Sequence, residues 1–215
     1  MKKISSKSGL AVQLSRIKGF FEPKVRLEQY PTDSEIAAEI LWNCFLKGEI
    51  EEKVIADYGC GTGILGLGVL LLGAKKVFFI DIDEDALNIA KNNYLFLKSE
   101  RSDIGEAVFI CKNIEDFSEK TDLVVQNPPF GAKREGKKHI DLVFLKKALE
   151  NSGIVYSFHK SETKPYILDK FCKENGCLAT ETYDFDFPIK ASYDFHKKRI
   201  LRTKVSCIRF ERKGI

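Results

Sequence analysis

Hydrophobic residues fall along this chain in two kinds of stretch that alternate. The first kind is a short, nearly unbroken apolar run: VIAD at 54–57, KKVFFID at 75–81, AVFIC at 107–111, DLVVQ at 122–126 and GIVYSFHK at 153–160. Runs of this length predict strands covered on both faces. The second kind repeats every three or four residues and predicts helices. Residues 8–18 put Leu10, Leu14 and Ile17 on one face. After Pro31, Thr32 or Asp33 caps a helix whose buried face is Ile36, Ala37, Ile40, Leu41, Cys44 and Phe45. Further helices are predicted from Ile64 to Leu72, over EDALNIAKNNYLFL behind an Asp83 cap, and over 141–150 with Leu142, Leu145 and Leu149 inward. A last one starts at Pro165 and ends at Gly176. CLATETYDFDFPI at 177–189 alternates as a long strand, and VSCIRFER at 205–212 closes as its partner. Alternation of strand and helix predicts an α/β fold with a mostly parallel, doubly wound sheet. No repeat or linker divides the chain, so one domain is expected over 1–215: an N-terminal helical and lid segment to residue 50, then the core from 51.

Composition narrows the class. At 44% hydrophobic and 31% charged the chain is globular rather than disordered. Lys2 and Lys3 are not followed by an apolar run, and no stretch nears the roughly 20 apolar residues of a membrane span, so a cytoplasmic protein is expected. Six cysteines without a CxxC pair read as buried reduced thiols, with no metal site. Net charge is only +4, but residues 190–213 hold nine Lys or Arg against two acids, and 131–147 hold six against two. Such density is either a solvated face or a track for a phosphate backbone.

Distinctive residues follow four of the strands. In DYGCGTG (57–63), Gly59, Gly61 and Gly63 form a tight turn between a strand and a helix, where backbone N–H groups meet a ligand closely. Asp81, 18 residues after Gly63 at the end of the next strand, suits a ribose diol once Asp83 is taken as the helix cap. The spacing is not Gly-x-Gly-x-x-Gly and no P-loop lysine follows, which favours a ribose-bearing cofactor without phosphates. Asn113 and Ile114, at the third tip, can pack an adenine. The fourth strand runs into Asn127-Pro128-Pro129-Phe130. Neither proline has an N–H, the residue before each is held extended, and the tip is stiff. An amide oxygen, a carbonyl and an aromatic face suit a planar amine such as a base edge. Glu28-Gln29-Tyr30-Pro31-Thr32 reads as a loop, or as a lid if it folds over the cleft. His139, His159 and His196 each lie among lysines and read as surface or phosphate contacts; Tyr156 and Phe158 read as core.

These motifs, with LEQYPT (27–32), DIDEDAL (81–87), FLKKALE (144–150), YSFHKS (156–161) and ASYDFHKK (191–198), make the chain resemble a class I S-adenosylmethionine-dependent methyltransferase. More narrowly it resembles the methyltransferase-like protein five family of archaea and eukaryotes, adenine N6-methyltransferases of small-subunit ribosomal RNA. The family carries a basic residue where this chain has Asp194. The resemblance implies a seven-stranded Rossmann-like sheet and S-adenosylmethionine as cofactor. It implies that Gln29 and Thr32 close over the cofactor, that Gly59, Thr62 and Ile64 line its methionine end, that Asp81 takes its ribose and Asn113 and Ile114 its adenine, with Tyr30, Asp57, Cys60, Gly61, Gly63 and Ile82 also at the cofactor. Asn127, Pro128, Pro129 and Phe130 would hold the target adenine. Lys133, Arg134, Lys137, Lys138, Lys160, His196, Lys197 and Lys198 would meet RNA. A small zinc-binding methyltransferase activator would add a strand at the unguarded edge Ala107–Cys111. Methylation of DNA or of a protein glutamine, or a non-catalytic RNA-binding assembly role, are the other readings.

Overall fold

The structure, a computed structural model, describes residues 4–131, 139–190 and 200–213. Among the described residues seven strands form one sheet: β1 Val54–Tyr58, β2 Lys76–Asp81, β3 Glu106–Cys111, β4 Thr121–Gln126, β5 Ser152–Lys160, β6 Cys177–Lys190 and β7 Ile200–Arg212. Their order is β3-β2-β1-β4-β5-β7-β6. The first five are parallel, β7 is antiparallel to β5, and β6 is antiparallel to β7. The order reverses between β1 and β4, so the carboxyl ends of those two strands flank the crevice where ligands of such sheets bind.

The continuous apolar runs reflect cover on both faces. Ile55, Val77, Leu123, Val125, Tyr156 and Phe158 face one core, shared with α1 Lys7–Leu14, α2 Ser34–Leu46, α3 Ile64–Leu71 and α4 Glu84–Glu100. Ala56, Tyr58, Ile80, Val124 and Val155 face the other, under α5 Ile140–Asn151 and the helical segment that ends at Glu174. Asp33, rather than Thr32, caps α2, its Oδ1 accepting from the N–H groups of Glu35 and Ile36. This frees Thr32 for another partner.

Four expectations need correction. α1 ends at Leu14, because Arg16 and Ile17 close a tight turn onto Gln13 and Leu14; Ile17 still packs on the core. The helix after Pro165 is not continuous: Lys164–Tyr166 and Cys172–Glu174 are joined by a π turn, Ile167–Phe171, that keeps Ile167 and Phe171 inward. Cys111 is exposed while the other five cysteines are buried, since it ends an edge strand. His159 is not at the surface. It is fully buried, edge-on to Phe210, with Nδ1 2.8 Å from Oδ2 of the buried Asp141 at the start of α5. β5 is an interior strand, so a lysine neighbour says nothing about exposure there.

Among the described residues no helix is long and apolar enough to cross a membrane.

Candidate active site

The glycine turn is built by backbone geometry and close packing. Gly59, Gly61 and Gly63 all have φ between 53° and 91°, the left-handed region that a side chain disfavours. Two residues into α3, the Gly66 N–H donates to Asp57 Oδ2 at 2.8 Å. A Cβ at Gly66 would lie 2.3 Å from Phe79 Cε1, so only glycine lets helix and strand approach this closely. Asp57 is wholly buried. Burial pushes its carboxyl up to about 7, against the Gly66 N–H and with the help of the Asp81 charge. Asp81 Oδ2 accepts from the Gly61 N–H at 2.8 Å and Oδ1 from the Asp83 N–H at 2.9 Å. Burial raises Asp81 too, and those two N–H groups oppose the rise. Turn and acid are thus one hydrogen-bonded unit.

A strap, residues 24–33, crosses this unit. Gln29 Nε2 donates to Asp83 Oδ2 at 2.6 Å, and Gln29 Oε1 accepts from the Lys24 N–H at 2.8 Å. Lys24 Nζ pairs with Asp83 at 2.5 Å and Asp85 at 2.6 Å. Burial works to raise Asp83, but the bonds from Lys24 and Gln29 outweigh it and hold the carboxyl below its usual range. Upstream, Phe20 lies over Gly61, where a Cβ would meet its Cζ at 2.8 Å. Asn93 ties the same segment down: its Oδ1 accepts from the Lys18 N–H, and its Nδ2 donates to the carbonyls of Lys18 and Thr62, all at 3.0 Å. Phe20 and Asn93 escaped the sequence reading. The signal for Asn93 was a polar residue on the apolar stripe Ala86, Ala90, Tyr94, Leu97 of α4.

Asn127 is half-buried at the tip of β4, and its Nδ2 donates to Thr32 Oγ1 at 3.0 Å. Thr32 takes one of the two amide N–H groups, which leaves Oδ1 as an acceptor for a ligand. The Phe130 N–H donates to Glu28 Oε2 at 2.8 Å. Together Glu28, Tyr30, the Asn127–Phe130 tip, Phe187 and Val205 enclose a small pocket.

Most of the residues expected at a cofactor line one adjoining cleft, which Asn127 also lines: Gln29, Tyr30, Thr32, Asp57, Gly59, Cys60, Gly61, Thr62, Ile64 and Asp81. Ile82, Asn113 and Ile114 line its continuation, an apolar slot closed by Pro129, Val143 and Phe144 and reached past Asp81. Gly63 lines neither and packs against Ala90 and Phe79. The described lining of the first cleft carries Glu28, Asp57 and Asp81 and no Lys or Arg. It fits a cationic, ribose-bearing ligand and disfavours phosphate. Of the basic residues expected at RNA, Lys160 ends β5 with Nζ 3.6 Å from Glu162. Lys133, Arg134, Lys137, Lys138, His196, Lys197 and Lys198 lie outside the described residues.

Residues 32–167 match the family described as Methyltransferase small domain. The rRNA N(6)-adenosine-methyltransferase METTL5 of Danio rerio is 37% identical, over 92% of this chain and 94% of its own length. Protein MJ0284 of Methanocaldococcus jannaschii is 39% identical, over 97% of this chain and 95% of its own. The crystal structure of PH1948 from Pyrococcus horikoshii superposes with a TM-score of 0.86 at 40% identity, covering 97% of this chain and 98% of that one. The acidic cleft, the strap and the Asn-Pro-Pro-Phe tip therefore sit in a chain that belongs to the methyltransferase small-domain family and, within it, to the METTL5 group of class I S-adenosylmethionine-dependent methyltransferases.

Proposed function

We propose that the protein methylates the N6 amine of an adenine in RNA, with small-subunit ribosomal RNA as its substrate. The observation that carries this is Asn127, whose amide donates to Thr32 Oγ1 and which lines both the cleft suited to a cation and the small pocket of the tip. The rRNA N(6)-adenosine-methyltransferase relatives support the choice of base and substrate.

S-adenosylmethionine, when bound, supplies an electrophilic methyl group on a sulfonium centre. Gln29, Thr32 and the turn Asp57–Ile64 would hold its methionine end, Asp81 its ribose, and Ile82, Asn113 and Ile114 its adenine. The task left to the chain is the amine, whose lone pair is delocalised into the base. Asn127 Oδ1 and the Pro128 carbonyl would accept its two N–H groups and favour a pyramidal nitrogen. Catalysis is then alignment and electrostatics, worth on the order of 7–11 kcal/mol where the geometry is good. No general base is needed, since the proton can leave after transfer. Phe130 would stack on the target base, at about 1–3 kcal/mol. A base must be unstacked to reach this pocket, which favours a loop or single strand. Lys160 and the basic segments 133–138 and 196–198 would follow the phosphates.

The edge of β3 is the surface we assign to a small zinc-binding activator, adding a strand beside Ala107–Cys111. Among the described residues the strand has a neighbour on one side only, and its side chains from Ala107 to Ile110 are half-buried. A cytoplasmic site of action goes with a ribosomal substrate. A stable monomer that co-purifies with nothing and works at full rate alone would remove the activator from this account. The substrate is tested by transfer from labelled S-adenosylmethionine to small-subunit RNA, with and without activator, followed by nucleoside analysis. Label on N6-methyladenosine is the expected result; label on DNA or protein alone would overturn it.

Asp57 adds a pH dependence. The ligand-free protein keeps this proton up to about pH 7, whereas a cationic cofactor favours the carboxylate. Binding therefore releases a proton, and affinity for S-adenosylmethionine should tighten by up to about tenfold per pH unit below 7 and level off above it. Calorimetry in buffers of different ionisation enthalpy reads the proton release. Asp57→Asn, which still accepts from Gly66, should flatten the curve. The raised pKa has the opposite consequence for folding: this group's contribution to stability is greatest below about pH 4 and declines as pH rises through 7.

A further inference from the structure

The strap touches the target tip at two points. Thr32 Oγ1 takes the Asn127 amide at one, and Glu28 Oε2 takes the Phe130 N–H at the other. Glu28 holds an unusual conformation to do so. Its φ of 52° and ψ of 42° place it in the left-handed region, as the cap of the short turn Val25–Leu27, with its own N–H donated to the Val25 carbonyl. A non-glycine residue pays strain to sit there, and such strain concentrates at positions that a site requires. Glu28 also lines both cavities, the acidic cleft and the small pocket of the tip. The next residue, Gln29, is bonded to Asp83, two positions beyond Asp81. One short segment therefore fastens the ribose end of the cleft, through Gln29 and Lys24, to the backbone amide of Phe130, through Glu28.

We propose that Glu28 is a positioning residue that couples closure of the strap over the cofactor cleft to the shape of the target pocket. It deepens the RNA-methylation reading and rests on it for its kinetic consequence. Phe130 follows two prolines that offer no N–H to any partner, so its own amide is the first backbone donor after Asn127 by which the tip can be held. The carboxylate of Glu28 supplies that hold. With the strap closed, the Phe130 ring and the Asn127 amide are fixed together; with it open, neither has its partner on the strap. Cofactor and target base then bind with positive cooperativity.

The test uses Glu28→Ala and Glu28→Gln in the full chain. Glutamine still presents an oxygen to the Phe130 N–H; alanine does not. Amide exchange at Phe130 reads the contact directly, and Pro128 and Pro129 give no competing signal. With S-adenosylhomocysteine as the added probe, the wild type should protect Phe130 more strongly than without it. Glu28→Ala should exchange at least about tenfold faster and lose that dependence, and Glu28→Gln should keep most of it. In methyl transfer, Glu28→Ala should lower kcat/KM for RNA by about tenfold or more while the Kd for S-adenosylmethionine stays within about twofold, and Glu28→Gln should recover most of the rate. Wild-type exchange in Glu28→Ala overturns the proposal. So does a Glu28→Gln variant as impaired as alanine, or a loss confined to cofactor affinity. If the wild type labels no RNA, the substrate reading fails while the exchange result still decides the coupling.

Discussion

Asn127→Ala is expected to lower kcat for methyl transfer by about 10²–10³-fold, the cost of removing one preorganised hydrogen-bonding group from a site that works by electrostatics. The cofactor Kd should stay within about threefold, because the loss falls on an interaction strongest in the transition state. Asn127 is half-buried at a strand tip, and its amide bonds a single described protein partner, Thr32. The variant should therefore fold, and a melting temperature near that of the wild type would show it. Asn127→Asp refines the result. It keeps an acceptor oxygen and turns Thr32 from acceptor to donor, so a measurable part of the rate should return. If alanine retains full activity on the wild-type substrate, Asn127 does not hold the reacting amine. If both variants lose cofactor binding to the same degree, the residue belongs to the cleft and not to the target pocket.

What the sequence made legible, and what it did not, follows from how local each constraint is. The glycine turn, Asp81 and the Asn-Pro-Pro-Phe tip announce themselves because their chemistry is written into a few consecutive residues: left-handed φ at Gly59, Gly61 and Gly63, and absent N–H groups at Pro128 and Pro129. The strands were legible as apolar runs, since both faces of the sheet are covered. Partners separated along the chain were not. Glu28 meets Phe130 across 102 positions, and Asn93 meets Lys18 across 75. His159 was misread because its lysine neighbour sits at the strand end, while the alternation Tyr156–Ser157–Phe158–His159 gives no sign that both faces are buried. The π turn at Ile167–Phe171 has no compositional mark at all.

The largest loss of stability is expected from Glu49→Ala, far from the chemistry. Glu49 follows α2 and reaches under β5 and β7, where Oε1 accepts from Arg209 Nη2 at 2.5 Å and Nε at 3.1 Å, and Oε2 accepts from the Tyr156 hydroxyl at 2.8 Å. Both side chains of the ion pair are nearly closed off, at 10% and 7% exposure. Burial opposes the charge on Arg209, but its bonds to Glu49 and Glu211 raise its pKa; burial also pushes the Tyr156 hydroxyl up. Removing Glu49 leaves an interior guanidinium with Thr180 and the half-exposed Glu211, and a buried hydroxyl without its acceptor. Breaking a buried pair on one side costs about 3–5 kcal/mol. In a chain of this size that is a fall in melting temperature of about 10 °C. The cause is the stranded charge rather than the lost attraction, and the double variant separates the two. Glu49→Leu with Arg209→Met removes both charges and fills the space, so it should recover most of the stability that Glu49→Ala loses. A double variant as unstable as the single one would mean that the pair's hydrogen bonds to Tyr156 and Thr180, not charge burial, hold β5, β7 and β6 together at this end of the sheet.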